Sequence, residues 1–527
     1  MMAVLEDCLD LIPQHYGEKV ELALLPADDP EVYATLQKAD TVGMFQVESR
    51  AQMSCLPRLR PTTFYDIVVQ VALIRPGPIV GEMVNPYIRR RQGKEAVQYA
   101  HPSLEPILER TLGVPLFQEQ LIRIAMVAAG FTGGQAEELR RAFGFKRSEA
   151  RMRDIEVKLR EGMMRNGIHG DTQDRIIQSI TSFALYGFPE SHAASFALIA
   201  YASAYLKCHY LAAFLAAMLN NQPMGFYHPS TLVKDAQRRG LKLRPVDVTK
   251  SQFECTLEPN STQRHGDTED EEGKSSASPR LCGDPFVVRL GLNYVRGLRA
   301  DVARAIVEER NRGAFESIAD LARRVPSLRR NELVILADIG ALNAIGTKGD
   351  NSLRLHRRDA LWQVERAARQ PGPLLEGIRE LDRSSPLAMM TQEERLVADF
   401  RGTGLTVGPH PMAYRRAEMN RRNIRSAIEL PRLPNGQRVR TAGCVIARQR
   451  PGTAHGFVFL SLEDETGIAN AIITPDLFER NRIVLVSERF LLVEGVLQNI
   501  DNVVSVKADR VHALDVTAAN TSSHDFH

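Results

Sequence analysis

The sequence predicts a multidomain, mainly α protein that ends in a small five-stranded β-barrel. Three observations carry that prediction. Apolar residues recur at helical spacing through most of the chain, as at Met152, Ile155, Leu159 and Met163. Glycine-turned helical units repeat around Gly297 and Gly340. Five alternating runs, VRTAGCVIARQ, FVFLSLED, IANAIIT, RFLLVEGVLQ and VVSVKADRV, crowd into the last part of the chain.

At 527 residues the chain is long enough for roughly three or four domains. Its 44% hydrophobic and 25% charged residues are those of an ordinary folded protein. A net charge of +3 names no partner, so any case for nucleic acid rests on local clustering. The six cysteines include no CxxC pair, which speaks against a structural zinc site and a disulfide framework and for a cytoplasmic location. MMAVLEDCLDLIPQ lacks the pattern of a signal peptide. The apolar stretch from His192 to Leu219 meets Lys207 and His209 before spanning the about 20 residues a bilayer needs, so it reads as a buried alanine-rich helix pair.

Residues 1–40 read as a helical lead-in. In Arg75-Pro76-Gly77-Pro78 two prolines around a glycine hold Arg75 at a defined place, for a phosphate or simply as a rigid turn. Thr132 and Gln135 have the form of a capping box, opening a helix with Leu139, Arg140, Arg141 and Phe143 that Gly144 interrupts. In the next helix Arg147, Arg151 and Lys158 share a face. That face suits phosphate, or it is a solvated face paired with Glu149, Asp154, Glu156 and Glu161. Ser191 and His192 stand where they would cap the alanine-rich helix, whose first amides would form an anion site. As neighbours on one helix they are no hydrolase pair.

Residues 258–285 are acidic, serine-rich and almost free of apolar residues, which marks a loop or disordered insert. Residues 286–346 read as a tandem helix-hairpin-helix, or as a small helical connector. In the first reading the turns at Gly297 and Gly340 let backbone amides approach a DNA phosphate. Residues 347–434 form a helical linker with one helix from Leu353 to Arg369. Its RGTGLTVG lacks the Gly-Lys-Ser/Thr of a phosphate loop. Asn435-Gly436 is a hairpin signal, and residues 435–515 then form a barrel of the oligonucleotide-binding kind, followed by a tail at 516–527. The barrel strands carry few aromatics for base stacking, which keeps a protein-docking role open.

The motifs GMFQVESR, ALIRPGP, LFQEQ, LRRAFGFKR, YGFPESHA and FVFLSLEDETG, in this order from about Asp40 onward, resemble the alpha subunit of bacterial DNA polymerase III, of the C family, and within it the error-prone paralogue. The resemblance implies polymerase fingers over 41–257, then the hairpins and the barrel. It also implies that Arg75, Arg140, Arg141, Lys146 and Arg147 face incoming triphosphate or template, beside Ser191 and His192. Pro189-Glu190-Ser191 stands where replicative relatives typically carry Asn-Lys-Ser, which puts Glu190 in place of a cation and favours the error-prone group.

By the same resemblance the substrates are primer-template DNA and deoxynucleoside triphosphates. Other damage-tolerance polymerase subunits or the sliding clamp are the further partners, and no membrane is involved. The family uses Mg²⁺ held by palm carboxylates, yet no Asp-x-Asp falls on an expected strand. The expectation is a carboxy-terminal part of such an enzyme without phosphoesterase-like domain, palm and thumb, with no catalytic or metal-binding residue of its own and no polymerisation alone. The alternatives are a non-catalytic interaction module of a replication or repair assembly, or a palm supplied by a separate chain.

Overall fold

The computed structural model describes residues 1–74, 80–144, 149–184, 188–260, 284–346, 355–367, 385–516 and 524–526. Arg75, Lys146, Arg147 and the acidic stretch 261–283 lie outside them, as does the side chain of Arg151. The chain divides into two compact units. One comprises Met1–Val20, His209–Ile500 and Val504–His527, the other Glu21–Cys208 with Asp501–Val503.

The first unit begins with α1 (Met2–Tyr16), which buries Val4, Leu5, Cys8 and Ile12 at helical spacing and ends on Gly17 at φ 70°.

The second unit has two cores. One is built by α2 (Arg50–Leu59), α3 (Phe64–Leu73) and later α8, the other by α4 (Gln118–Ala129), α5 (Gly133–Gly144), α6 (Glu149–Arg165) and α7 (Gly170–Ala184). Ser49 and Gln52 form a capping box that starts α2, and Asp66 accepts from the amides of Thr62 and Thr63 at 2.8 and 3.0 Å to start α3. Ile155, Leu159 and Met163 are buried as their spacing predicts, with α4 close enough to α6 that a Cβ on Gly162 would meet the carbonyl oxygen of Ala129. The alanine-rich helix is α8 (Glu190–His209), which buries Ala193, Ala197, Ala200 and Ala204 in the first core.

Back in the first unit, α9 (Leu211–Asn220) is buried along nearly its whole length and packs against α1. Among the described residues no single helix is long and apolar enough to cross a membrane. Asp284, at the far end of the acidic stretch, accepts from the Ala212 amide at 2.9 Å and from the Tyr16 hydroxyl at 2.9 Å, fastening both helices.

After α10 (Pro229–Arg238) a small sheet in the order β1-β3-β2 forms from β1 (Leu243–Arg244), β2 (Thr256–Pro259) and β3 (Phe286–Arg289). Strands β2 and β3, on either side of the acidic stretch in sequence, pair antiparallel, with Arg289 and Arg244 both bonded to Glu258 on β2. Helices α11 (Ala300–Arg312), α12 (Ile318–Arg324) and α13 (Arg330–Asp338) make the hairpin region, and α14 (Arg357–Ala367) packs on α12 and α13. Only the part of the expected 353–369 helix within α14 is described. Helix α15 (Gln392–Thr403) ends on Gly404 at φ 78°, so the glycines of RGTGLTVG begin by stopping a helix.

The barrel has the five expected strands, β4 (Arg438–Gln449), β5 (Val458–Glu463), β6 (Ile468–Ile473), β7 (Phe490–Ile500) and β8 (Val503–Ala513). Their order is β5-β6-β8-β7-β4, and a β5–β4 pairing closes the ring, with β6 and β8 parallel. A further strand, β9 (His524–Phe526), joins β4. Asn435-Gly436 does not join two strands: Gly436 turns the chain at φ 84° from a 3₁₀ turn into β4. The tight hairpin lies at Asp501-Asn502, both at positive φ, between β7 and β8. Asp464 closes the β5–β6 turn, accepting at one oxygen from the Thr466 amide and hydroxyl at 2.7 and 2.6 Å and from the Gly467 amide at 3.0 Å.

The barrel meets α10 through a buried charged seam. Thr231 and Arg238 reach Glu463 at the end of β5 at 3.2 and 2.8 Å, and His410 lies 3.8 Å from it. Lys234 donates to the Gly408 carbonyl and to Gln237, and Gln237 donates to the Val407 carbonyl at 2.8 Å. Burial pushes the Glu463 carboxyl up to about 7, against the pull of Arg238, and pulls the Lys234 ammonium down to about 8. The folded state thus holds the Glu463 proton more tightly than the unfolded one. That contribution favours folding at acidic pH and is lost as pH rises from 4.5 towards 7. Glu463→Gln should match the wild type near pH 4.5 and exceed it increasingly up to about pH 7, by on the order of a few kcal/mol. Thermal unfolding of both proteins across that range is the measurement, and a constant difference with pH would contradict it.

Candidate nucleic-acid interface

The second unit carries the arginines of the LRRAFGFKR motif. The capping box of α5 is formed, with the Thr132 amide donating to Gln135 at 2.9 Å. On the exposed face that follows, Arg140 grips Glu137 with two bonds of 2.8 and 2.7 Å, and Arg141 reaches the same carboxylate at 3.2 Å. Hydrogen bonds from these arginines hold the Glu137 carboxyl down at about 2. Two cations thus share one anion and stand ordered towards solvent. Of the expected row on α6 only Lys158 is described, 3.5 Å from Glu138. Arg160, on the opposite side of the same helix, bonds Glu156 and Asp174.

At the start of α8 the helix begins at Glu190, so Ser191 and His192 lie within its first turn and do not cap it. The Glu190 amide donates instead to Glu119 at 2.9 Å, which places a carboxylate of the protein where an anion was expected. Glu190 also accepts from the Tyr65 hydroxyl at 3.0 Å. Arg110 lies 3.8 Å over the Tyr65 ring and 3.9 Å from Glu190. Burial and the Glu190 charge push the Tyr65 hydroxyl up, keeping it a donor. Ser191 and His192 are exposed, with the His192 ring 5.0 Å from Phe188 and 4.2 Å from Phe196.

Most of the motif residues face inward. In GMFQVESR, Glu48 accepts from the Gly43 amide at 3.0 Å, and the Phe45 amide donates to Ser203 on α8 at 3.0 Å. In LFQEQ, Gln120 accepts from the amides of Leu116 and Phe117 and donates to Thr111 at 2.8 Å. Tyr65, Arg110 and Glu119 escaped the sequence reading because their grouping joins three separate segments.

The hairpin glycines belong to the first unit. Gly297 stands at φ +83° ahead of α11, and a Cβ there would lie 3.3 Å from Ile335 of α13. Glu332 of α13 is buried and accepts from both the amide and the guanidinium of Arg299 at 3.1 and 3.0 Å, tying the starts of α11 and α13. Gly340, at φ +81°, ends α13, where its amide bonds Ala337 at 3.0 Å and the next amide bonds Leu336 at 2.8 Å. Among the described residues no three of His, Cys, Asp and Glu are grouped as a metal site requires.

Gly297→Ala should destabilise the hairpin region by about 1–2 kcal/mol, because alanine is strained in the left-handed region. The single tryptophan, Trp362, stands exposed on α14, whose helix packs on α12 and α13, so its fluorescence should follow the unfolding of this region with a lower urea midpoint. An unchanged midpoint would mean that the turn tolerates a side chain.

Comparison with known proteins matches residues 1–167 to the bacterial DNA polymerase III alpha subunit finger domain and residues 240–351 to a helix-hairpin-helix motif. The chain is 48% identical over 507 residues to an error-prone DNA polymerase of Anaeromyxobacter sp. (strain K), covering 96% of this chain and 43% of that one. It is 45% identical to error-prone DNA polymerase 1 of Agrobacterium fabrum, covering 100% of this chain and 47% of the relative. The error-prone DNA polymerase of Pseudomonas savastanoi is 44% identical, with 100% and 48% covered. The chain thus spans less than half the length of the curated relatives it matches.

Proposed function

Because the chain is related along its length to the error-prone DNA polymerases and carries the polymerase III alpha finger domain, we propose that it is the DNA- and nucleotide-holding part of such an enzyme. Its substrates in this reading are primer-template DNA and deoxynucleoside triphosphates in damage-tolerant synthesis. The fingers correspond to residues 41–257, the tandem hairpins to 286–346 and the barrel to 435–515. The carboxylates that hold magnesium for the chemical step belong to a segment outside these residues.

The observation that carries this reading is the exposed pair Arg140 and Arg141, pre-ordered on Glu137 within the LRRAFGFKR motif. A guanidinium with one edge on a carboxylate keeps other N–H groups for a phosphate. Glu190, bonded to Tyr65 and beside Arg110, supplies negative charge at the start of α8, so phosphate is held by the arginines and not by that helix end. Arg75, Lys146 and Arg147 are assigned to the same surface through the family motifs, and Arg151 through its helical spacing from Arg147.

Fluorescence anisotropy on a labelled primer-template across a salt series tests this. Arg140→Ala with Arg141→Ala should weaken binding and lower the slope of log affinity against log salt by about 1–2, at roughly 0.9 per phosphate contact on duplex. With magnesium and all four nucleotides the chain alone should not extend the primer. Extension by the rigorously purified chain would place the metal carboxylates within it. Absence of DNA binding would turn the assignment to an interaction module of a repair assembly.

A further inference from the structure

A groove lies wholly within the first unit, lined by residues that none of the family motifs contains. It measures about 590 Å³, inside the roughly 300–1,000 Å³ usual for binding sites. One wall is α1, which buries Val4, Leu5, Cys8 and Ile12 and turns Asp7, Asp10 and Leu11 to the groove at spacings of three and four. The other wall is α11, which buries Val302, Ala303 and Ile306 and turns Arg304, Val307 and Glu308 to it at the same spacings. The run from Gln252 to Thr256, leading into β2, completes the lining. Asn220, at the end of α9, fixes that run, donating to the Cys255 carbonyl at 3.1 Å and accepting from the Cys255 amide at 2.8 Å.

The lining has an apolar centre and an acidic rim. Leu11, Val307 and Phe253 are half-buried, whereas Asp10, Glu254 and Glu308 are exposed. The one cation, Arg304, lies 4.3 Å over the Phe253 ring. Asp7 accepts from the side-chain amide of Asn221, a neutral donor, at 2.5 Å. Among the described residues none of the four carboxylates is ion-paired, so the groove carries a net negative charge on a chain whose overall charge is +3.

That sign repels a phosphate backbone, so the groove is no extension of a DNA-holding surface. The complement of its pattern is an aliphatic side chain flanked by cations. We propose that the groove docks a basic segment of a partner protein, in which one leucine-like side chain stands between lysines or arginines. The aliphatic side chain covers Leu11 and Val307, and the flanking cations meet Asp10, Glu254 and Glu308 at the rim. The inference goes beyond the DNA-holding reading and does not depend on it.

Fluorescence anisotropy of a labelled peptide, Lys-Arg-Leu-Arg-Lys, titrated with the full chain tests this. Asp10→Asn, Glu254→Gln and Glu308→Gln together should weaken binding about tenfold, as three exposed ion pairs allow. Glu105→Gln, Asp171→Asn and Glu393→Gln together remove the same charge elsewhere and should leave binding unchanged. With the unaltered chain, a peptide carrying glycine in place of leucine should bind several-fold more weakly. Equal losses in the two triple variants would make the attraction one of overall charge and overturn the proposal. Equal affinity for the leucine and glycine peptides would overturn it too, because the groove's apolar centre would then contribute nothing. Displacement of the peptide by an equal concentration of spermidine would assign the groove to a free polyamine instead of a protein segment.

Discussion

The second unit depends on one buried constraint: the polar anchors of α8, a helix whose alanine face would otherwise fix no register. Alanine packs closely but without shape, so a helix that buries Ala193, Ala197, Ala200 and Ala204 could slide at little cost. Polar contacts remove that freedom. Lys207, buried, donates to the Val42 carbonyl at 2.6 Å, Ser203 accepts from the Phe45 amide, and the Tyr201 hydroxyl accepts from the Asp29 amide at 3.1 Å. Breaking any of these leaves a buried polar group unpaired, which costs more than the bond itself is worth. The register of α8 then sets where Glu190, Ser191 and His192 emerge.

This explains why the most recognisable motifs are largely architecture. GMFQVESR is the loop those anchors hold, and LFQEQ is the joint by which α4 meets the chain ahead of α8, with the Gln118 amide on the Phe188 carbonyl at 3.0 Å. A recognisable motif can consist of internally bonded residues as much as of residues that face a substrate. Within LRRAFGFKR the arginines that are described do face solvent, and the difference follows from position on an amphipathic helix: Leu139 and Ala136 are buried, and Arg140 and Arg141 are not.

What the sequence made legible was local. The capping box at Thr132, the apolar face of α6, the five barrel strands and the helix-stopping glycines all rest on patterns within a few residues. What it left hidden depends on partners far away along the chain. Asn435-Gly436 has the composition of a hairpin turn, yet no preceding strand exists to pair with β4, so it becomes a strand entry. The hairpin instead uses Asp501-Asn502, residues that tolerate positive φ less readily than glycine. The sheet around the acidic stretch was hidden because two of its strands are four residues long and the third has two. Glu463 falls within the strand run FVFLSLED, and its burial against Arg238 follows only from the packing of α10 on the barrel.

The same local pattern of charge serves two opposite ends, and burial decides which. Glu463 is buried and Arg238 half-buried against it, so their pairing is a condition of packing that must offset desolvation. Arg140 and Arg141 on Glu137, and Arg438 on Asp509, pair in the open, where such bonds add little stability. Their consequence is order. An exposed arginine held by a carboxylate loses less rotamer freedom when a phosphate arrives, and the carboxylate in turn weakens the attraction it has arranged. Where one anion orders two arginines, as at Glu137, the group keeps a net positive charge and that weakening is smallest. A phosphate backbone therefore gains most from arginines that share one carboxylate, and least where every cation has a carboxylate of its own.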